Sequence, residues 1–173
     1  MRMEKRYTTA WLCVTALLTA MHVIMSSFGV PVPGGHLYLN DVIICTAALL
    51  LDPLASFIVG GIGAFLGDFF FYPAPMFVSL VTHGLQAVVI SLVARRFARG
   101  GKGGQWLAVG LGAVIMVAGY SLGRAYVYST PEYAMLKLPY QILQAAVGAV
   151  AGVLLVNQAG LRKVFEQQLG MRA

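Results

Sequence analysis

The chain has 173 residues, of which 59% are hydrophobic and 10% are charged. About a quarter of the residues of an ordinary soluble domain are charged, so this composition excludes that class and indicates a membrane protein. Its 20 Gly and 7 Pro also favour a membrane protein, because both residue types are more frequent in membrane helices than in soluble ones. The length suits one polytopic helix bundle in a lipid bilayer, and we expect no nucleic-acid partner.

The first apolar run, at 8 to 28, follows a basic start that is typical of a signal peptide. The run has about 21 residues, whereas the apolar region of a signal peptide has about 7 to 15 and a membrane helix needs roughly 20. We therefore predict a retained first membrane span. Five further apolar runs cover about 38 to 51, 54 to 72, 76 to 94, 105 to 128 and 134 to 157.

The number of spans depends on the Asp52-Pro53 pair. Residues 42 to 67 could form one kinked helix, because proline is tolerated in membrane helices. A five-span chain would then place the basic loop ARRFARGGKGG, at 94 to 104, outside the cell, whereas short basic loops tend to stay in the cytoplasm. We therefore predict an all-α integral membrane protein, a bundle of six transmembrane helices at 1 to 158 with both termini cytoplasmic.

The C-terminal segment at 159 to 173 begins AGLRKVFEQQLG, with Leu161, Val164 and Phe165 at helical spacing beside basic residues. Such a pattern favours a short amphipathic helix on the inner membrane surface. A merely solvated cytoplasmic tail is the alternative interpretation.

The segment PVPGGHLYLND, at 31 to 41, interrupts the apolar pattern. The second span is short, about 21 Å against roughly 30 Å of hydrocarbon, so this segment must dip towards the protein interior on the outer side. Irregular backbone at that depth has to be buried in protein or line a watery cavity. We interpret the segment as a mobile gate formed by four residues: Pro33, Gly34, Gly35 and His36.

Polar side chains form stripes at helical spacing on three spans, each running from the outer surface to about the membrane centre. They are Ser79, Thr82, His83 and Gln86 on the fourth span, Tyr120, Arg124 and Tyr128 on the fifth, and Tyr133, Lys137, Tyr140, Gln141 and Gln144 on the sixth. Ionisable residues within spans indicate a functional site, and the shared depth predicts one outward-facing cavity. Arg124 and Lys137 could instead only pair with Asp68 and Glu132, and His22, which has no stripe of its own, is expected to be structural. The predicted substrate contacts are Tyr38, Asn40, His83, Gln86, Arg124, Lys137, Tyr140 and Gln141.

Small residues recur one helical turn apart, which lets helices approach closely. Ala16 and Ala20 lie in ALLTA of the first span, Gly60 and Ala64 in the third, and Gly148 and Gly152 in the sixth. We predict internal packing for the third and sixth spans and a docking face for a partner protein at Ala16 and Ala20.

With these features the whole chain resembles the substrate-binding (S) components of energy-coupling factor (ECF) transporters. The densest match is YLNDVIICTAALLLDPLASFIVGGIGAFLGDFFFYPAPMFVSLVTHGLQAVVISLVARR, at 38 to 96. It is similar to the family's Asn/Asp-opened second helix, Pro turn, Gly-rich third helix that ends in Asp, and Pro-containing outer loop. The ALLTA segment is similar to the family's AxxxA motif on the first helix.

The resemblance implies capture of a ligand outside the cell, followed by toppling of the component within the bacterial or archaeal plasma membrane. A transmembrane coupling (T) protein would contact the AxxxA motif, and two cytoplasmic ATPases would supply the energy. The ligand would be a water-soluble vitamin or heterocyclic precursor of the pyrimidine, pyridoxine or riboflavin type. The component would be no enzyme and would need no metal or cofactor.

Three other interpretations stay open. A stand-alone secondary transporter would be supported by an inverted repeat or by charged residues through the inner half, which is apolar in this sequence. A membrane enzyme acting on lipids would need a catalytic pair near the cytoplasmic face, and the sequence has no recognisable one. A scaffold or assembly protein would leave the intramembrane His, Gln, Arg and Lys residues without a role.

Overall fold

A computed structural model describes residues 8 to 97 and 102 to 168. The basic residues Arg2, Lys5, Arg6 and Arg99, which are expected to be cytoplasmic, lie outside this part of the chain, as does the tail beyond residue 168. In order, the elements are α1 (Thr9–Met25), β1 (Val30–Val32), β2 (Gly35–Leu37), α2 (Asn40–Leu50), α3 (Pro53–Phe71), α4 (Met76–Arg96), α5 (Lys102–Gly123, extended by a π-helical turn at Arg124–Tyr128), α6 (Pro131–Asn157) and α7 (Leu161–Gln168).

In the part of the chain that the structure describes, the regular elements are helices apart from one short hairpin. Within the described residues, α3 to α6 are long and apolar enough to cross a membrane, whereas α1 and α2 are shorter apolar helices of 17 and 11 residues. The chain is therefore a membrane protein with several apolar helices. At about 1.5 Å per residue, α2 spans roughly 17 Å, so the expected short second helix is confirmed.

The junction at Asp52-Pro53 separates two helices. Helix α2 ends at Leu50, and the side chain of Asp52 accepts hydrogen bonds from the backbone nitrogens of Leu54 (3.1 Å) and Ala55 (3.3 Å). An Asp N-cap followed by Pro at the first helical position is a favourable helix start. The single kinked helix over 42 to 67 is therefore wrong, and the helix break expected for six spans is confirmed.

The predicted gate segment contains a β-hairpin, which the sequence pattern did not indicate. Strands β1 and β2 are antiparallel, with Val30 opposite Leu37 and Val32 opposite Gly35. The turn requires glycine, because φ is +81° at Gly34 and +144° at Gly35, values that side chains with a Cβ rarely adopt. The hairpin lies at one end of the helix bundle, which we call the hairpin end.

Glycines bring the central helices into close contact. A Cβ at Gly60 would lie 2.7 Å from the Cβ of Ala87 on α4, and one at Gly152 would lie 2.7 Å from the Cβ of Cys45 on α2. Real Cβ atoms do not approach so closely, so internal packing of the small residues in α3 and α6 is confirmed. Away from the hairpin end the core is apolar and includes Ile44, Leu51, Ile90, Val109, Val153 and Val156.

Helix α7 is present where the amphipathic tail was predicted. Leu161 and Phe165 pack against the core, and the guanidinium of Arg162 lies 3.5 Å from the carbonyl oxygen of Leu49. These contacts hold α7 against the end of α2 that is opposite the hairpin, so the described part of the tail packs onto the bundle.

Candidate ligand-binding cavity

A polar cavity lies beneath the hairpin, and residues from all six main helices or from the segments next to them line it. Six of the eight predicted substrate contacts are in its lining: Tyr38, Asn40, His83, Arg124, Lys137 and Gln141. Because the three polar stripes end at the same depth, the side chains of α4, α5 and α6 converge there. The structure thus brings together most of the residues that the sequence placed in one cavity.

The other two predicted contacts lie elsewhere. Gln86 is buried one layer beneath the cavity, where its Oε1 lies 2.7 Å from Nδ1 of His83. Tyr140 is partly exposed and outside the lining. On a helix with 100° per residue, Tyr140 is rotated by about 60° from Lys137, whereas Gln144 is rotated by only about 20°. The α6 stripe faces the cavity through Lys137, Gln141 and Gln144, and Tyr140 lies at its edge.

A buried polar cluster supports the cavity from below. The two carboxylate oxygens of Asp41 accept hydrogen bonds from Nε2 of Gln86 (3.0 Å) and from Nε2 of Gln144 (2.6 Å). Oε1 of Gln144 in turn accepts the backbone N–H of Tyr38 at 3.1 Å. The cluster therefore connects α2, α4 and α6 with the base of the hairpin.

Arg124 and Lys137 hold the hairpin over the cavity. Nη1 of Arg124 donates to the carbonyl oxygen of Gly34 at 2.8 Å, and Nζ of Lys137 donates to the carbonyl oxygen of His36. Asp68 accepts from the hydroxyl of Ser79 instead. Within the part of the chain that the structure describes, the alternative ion pairs with Asp68 and Glu132 are not formed, and both cations contact the gate segment.

Aromatic rings form much of the wall. The rings of His83 and Tyr120 are 5.1 Å apart, and the Tyr120 hydroxyl donates to Oγ of Ser79 at 2.5 Å. The guanidinium of Arg124 lies 5.3 Å from the ring centre of Tyr128, within the range of a cation–π contact. Flat, polarisable surfaces beside hydrogen-bonding groups suit an aromatic heterocycle.

Tyr38 lies between the hairpin and α2, outside the long helices. Burial, and then the nearby carboxylate of Asp68, raise the pKa of Tyr38. Burial disfavours the phenolate because a charged oxygen loses hydration, and a neighbouring anion repels it. Tyr38 therefore stays neutral and keeps a hydroxyl that can donate.

Several lining residues were not predicted as substrate contacts. Asp68 was predicted only as a possible ion-pair partner and Tyr72 had no predicted role, yet both line the cavity. Ser26 and Met116 also line it, and no pattern distinguishes them from packing residues. Asp68 was detectable as an acidic residue inside an apolar helix, which by itself indicates a site.

The predicted docking pair lies away from the cavity. Ala16 and Ala20 are exposed on the face of α1 opposite its buried residues Trp11, Thr15 and His22. Within the described residues this pair is not part of an internal helix contact.

Apolar helices around a polar, tyrosine-lined cavity define a membrane protein that binds a small molecule. Residues 6 to 163 match the family model of the ECF-type riboflavin transporter, S component. The chain belongs to this family of membrane-embedded substrate-binding components, as its resemblance to ECF S components predicted. The family is one of transporter components and not of enzymes. No curated protein matches the chain.

Proposed function

We propose that this chain captures a riboflavin-type ligand from outside the cell for an ATP-driven ECF importer. The observation that carries the proposal is the family match over 6 to 163, and the polar cavity under the hairpin supports it. Pyridoxine and hydroxymethylpyrimidine are the competing ligands that the sequence left open. Riboflavin combines a flat tricyclic ring, an edge of carbonyl and N–H groups, and a polyhydroxyl chain.

The lining of the cavity suits the ring system of such a molecule. The rings of Tyr38, Tyr120 and Tyr128 offer surfaces for stacking, and the amide of Gln141 offers hydrogen bonds. Pockets of this kind, apolar walls with a few convergent polar groups, are the usual form of small-molecule sites. The ligand needs no metal or cofactor for capture.

We further infer six transmembrane helices with both termini in the cytoplasm. In that orientation the hairpin end faces outwards, and the opposite end carries Arg95, Arg96, Arg162 and Lys163. Basic residues near membrane ends favour the cytoplasmic side. The hairpin would then close the cavity after the ligand arrives from outside.

The binding experiment is a fluorescence titration of riboflavin with the purified protein, followed by competition with pyridoxine and hydroxymethylpyrimidine. The amide of Gln141 is held at 2.9 Å from the carbonyl oxygen of Val117, with the residue 3% exposed. Gln141→Ala should weaken riboflavin binding by about 5- to 150-fold, the range for loss of one buried hydrogen bond. Gln158→Ala, at the exposed end of α6, is the matched control. Tight binding of a competitor without riboflavin binding would reject the ligand assignment.

Opening of the hairpin is tested with a spin label at residue 36, introduced by His36→Cys in a Cys13→Ser background. Cys13 is exposed and would compete for the label, whereas Cys45 is buried. Saturating riboflavin should reduce the mobility of the label at 36. A label at Tyr126→Cys, 79% exposed, is the control and should not respond. Equal mobility at residue 36 with and without riboflavin would count against the gate.

Docking to the coupling protein is tested with Ala16→Leu combined with Ala20→Leu. Because both side chains are exposed, larger residues should leave riboflavin binding unchanged but abolish uptake by cells that contain the T protein and both ATPases. Exposed alanines of the same kind, changed in the pair Ala118→Leu and Ala146→Leu, provide the control. Uptake that persists when the ATPases are deleted would favour a stand-alone transporter.

A further inference from the structure

Asn40 carries an unpaired hydrogen-bond acceptor at the cavity. Among the described residues, the buried Oδ1 of Asn40 has no hydrogen-bond partner, although the residue is only 7% exposed and lines the cavity. A buried polar atom without a partner destabilises a protein, because it has lost its bonds to water without gaining others. An amide oxygen can only accept a hydrogen bond, so a partner for this atom must be a donor.

The orientation of the Asn40 amide is set by His22. Nδ1 of His22 lies 2.7 Å from the carbonyl oxygen of Val59, and Nε2 lies 3.2 Å from Nδ2 of Asn40. A carbonyl oxygen only accepts, so Nδ1 must carry the hydrogen; an amide nitrogen only donates, so Nε2 must provide the lone pair. Only the neutral His22 ring with its hydrogen on Nδ1 satisfies the contacts with Val59 and Asn40 at the same time. Turning the amide over would bring its oxygen against this lone pair.

The ring of His83, which lines the cavity, is held in a similar way. Nε2 of Gln86 is committed to Asp41, so Oε1 of Gln86 faces Nδ1 of His83 at 2.7 Å. Nδ1 of His83 therefore donates into the protein, and in the neutral ring Nε2 is an acceptor. The rings of His22 and His83 are 6.1 Å apart, so the two histidines are neighbours, and His83 itself lines the cavity.

We propose that His22 is a positioning residue that makes Asn40 Oδ1 an acceptor subsite, so that the cavity selects ligands with an N–H donor. The inference deepens the proposed function and rests on it: the imide N–H of the flavin ring is a donor of this class. A site whose buried acceptor needs a donor discriminates strongly against an analogue that lacks the hydrogen.

The test compares riboflavin with 3-methylriboflavin, in which a methyl group replaces that hydrogen. The wild-type protein should prefer riboflavin by about 5- to 150-fold. His22→Gln should keep the preference, because a Gln amide can also donate to Val59 and accept from Asn40. His22→Leu removes both interactions and frees the Asn40 amide to turn, so the preference should fall at least about fivefold. If His22 had a purely structural role, His22→Leu would weaken the binding of both flavins equally and leave the preference for riboflavin unchanged. That result would overturn the proposal.

The tautomer of His22 is measured directly by ¹⁵N NMR of the histidine-labelled protein without ligand, with the His22→Gln spectrum assigning the signal. The proposal requires hydrogen on Nδ1, and hydrogen on Nε2 or on both nitrogens would overturn it. The two failures are distinguishable. If neither flavin binds, the riboflavin assignment fails, and the NMR signal of His22 by itself decides whether the acceptor is oriented as inferred. If both flavins bind equally to the wild-type protein, the acceptor subsite is wrong, whereas the proposed capture of flavin stands.

Discussion

The two halves of the helix bundle are built from the same helices but from different chemistry. In the hairpin half, α2 and α4 contribute Asn40, Asp41, His83 and Gln86, all at least nine-tenths buried. In the opposite half the same helices contribute apolar side chains such as Ile90, which is fully buried. The polar side chains that bond to one another across helices are concentrated in the hairpin half. In the opposite half the buried hydroxyls of Ser56 and Ser91 donate to backbone carbonyls, and apolar packing dominates.

The difference also separates two kinds of interaction. Side chains of the apolar half are held by close packing, in which each lost methylene leaves a small cavity. Those of the hairpin half are held by directional bonds that also contact the gate, as with Lys137 and His36. Substitutions in the apolar half should therefore change stability alone, whereas substitutions in the hairpin half should change stability and binding together.

The largest effect is expected for Asp41→Leu, which removes the acceptor of two buried amides. Gln86 and Gln144 would each lose a bond to the carboxylate, at about 1 to 3 kcal/mol for each donor left unpaired. Thermal unfolding in detergent should show a large loss of stability, with riboflavin affinity reduced as well. Asp41→Asn keeps one acceptor and should be intermediate. Wild-type stability of Asp41→Leu would mean that the cluster carries little of the fold.

Next is Gly60→Ala, at the contact of α3 with α4. The added methyl would lie 2.8 Å from the carbonyl oxygen of His83 and 2.7 Å from Ala87, so backbone must shift, and overpacking of this kind destabilises by about 1 to 3 kcal/mol. Gly110→Ala, where nothing lies within 4 Å, is the matched control and should not lower the unfolding temperature. Equal melting of the two variants would contradict close α3–α4 packing.

Lys137→Gln tests the hairpin itself. Lys137 is only 3% exposed, and its ammonium group donates to the carbonyl oxygen of His36. Loss of this bond should weaken closure of the hairpin over the cavity. Riboflavin should dissociate faster in stopped-flow fluorescence, by about 5- to 150-fold if one buried bond is lost. Lys163→Gln, exposed on α7, should leave the dissociation rate unchanged. An unaltered rate in Lys137→Gln would show that this bond does not hold the gate.

The smallest effect is expected for Ile90→Val in the apolar half. Removing one methylene from this fully buried side chain should destabilise the protein by about 0.5 to 1.5 kcal/mol. Riboflavin affinity should stay at the wild-type value in the same titration. If the affinity of Ile90→Val for riboflavin fell as well, the two halves would not be separable in the way proposed.

Much of the cavity could be predicted from helical spacing. His83 on α4, Arg124 on α5 and Lys137 on α6 were placed at one depth by counting residues along each apolar run, and all three line the cavity. Tyr140 was expected in the cavity but lies outside its lining. Helical spacing groups it with Lys137, Gln141 and Gln144 on one face of α6 but does not show which side of that face points inwards. That side is fixed only by the rotation of α6 against its neighbours.

The hairpin and the buried cluster could not be predicted. The sequence at 31 to 41 indicated non-helical backbone, but the pairing of Val30 with Leu37 depends on local turn geometry that a Pro-Gly-Gly segment also permits in other forms. In the sequence, Asp41 was distinguished only by its position next to Asn40 at the start of the second span. Its partners Gln86 and Gln144 are 45 and 103 residues away in the chain, so only packing brings them together.

Hydrophobicity, capping and helical spacing act within single segments. They were therefore enough to predict the membrane class, the helix break at Asp52-Pro53, the short second helix and the depth of the polar residues. Which polar atoms meet depends instead on how the helices pack. Arg124 and Lys137 contact hairpin carbonyls instead of acidic side chains. The Asn40 amide is turned by His22, 18 residues earlier in the chain, because a hydrogen bond depends on the direction of both partners and that direction is set by helices packed against each other.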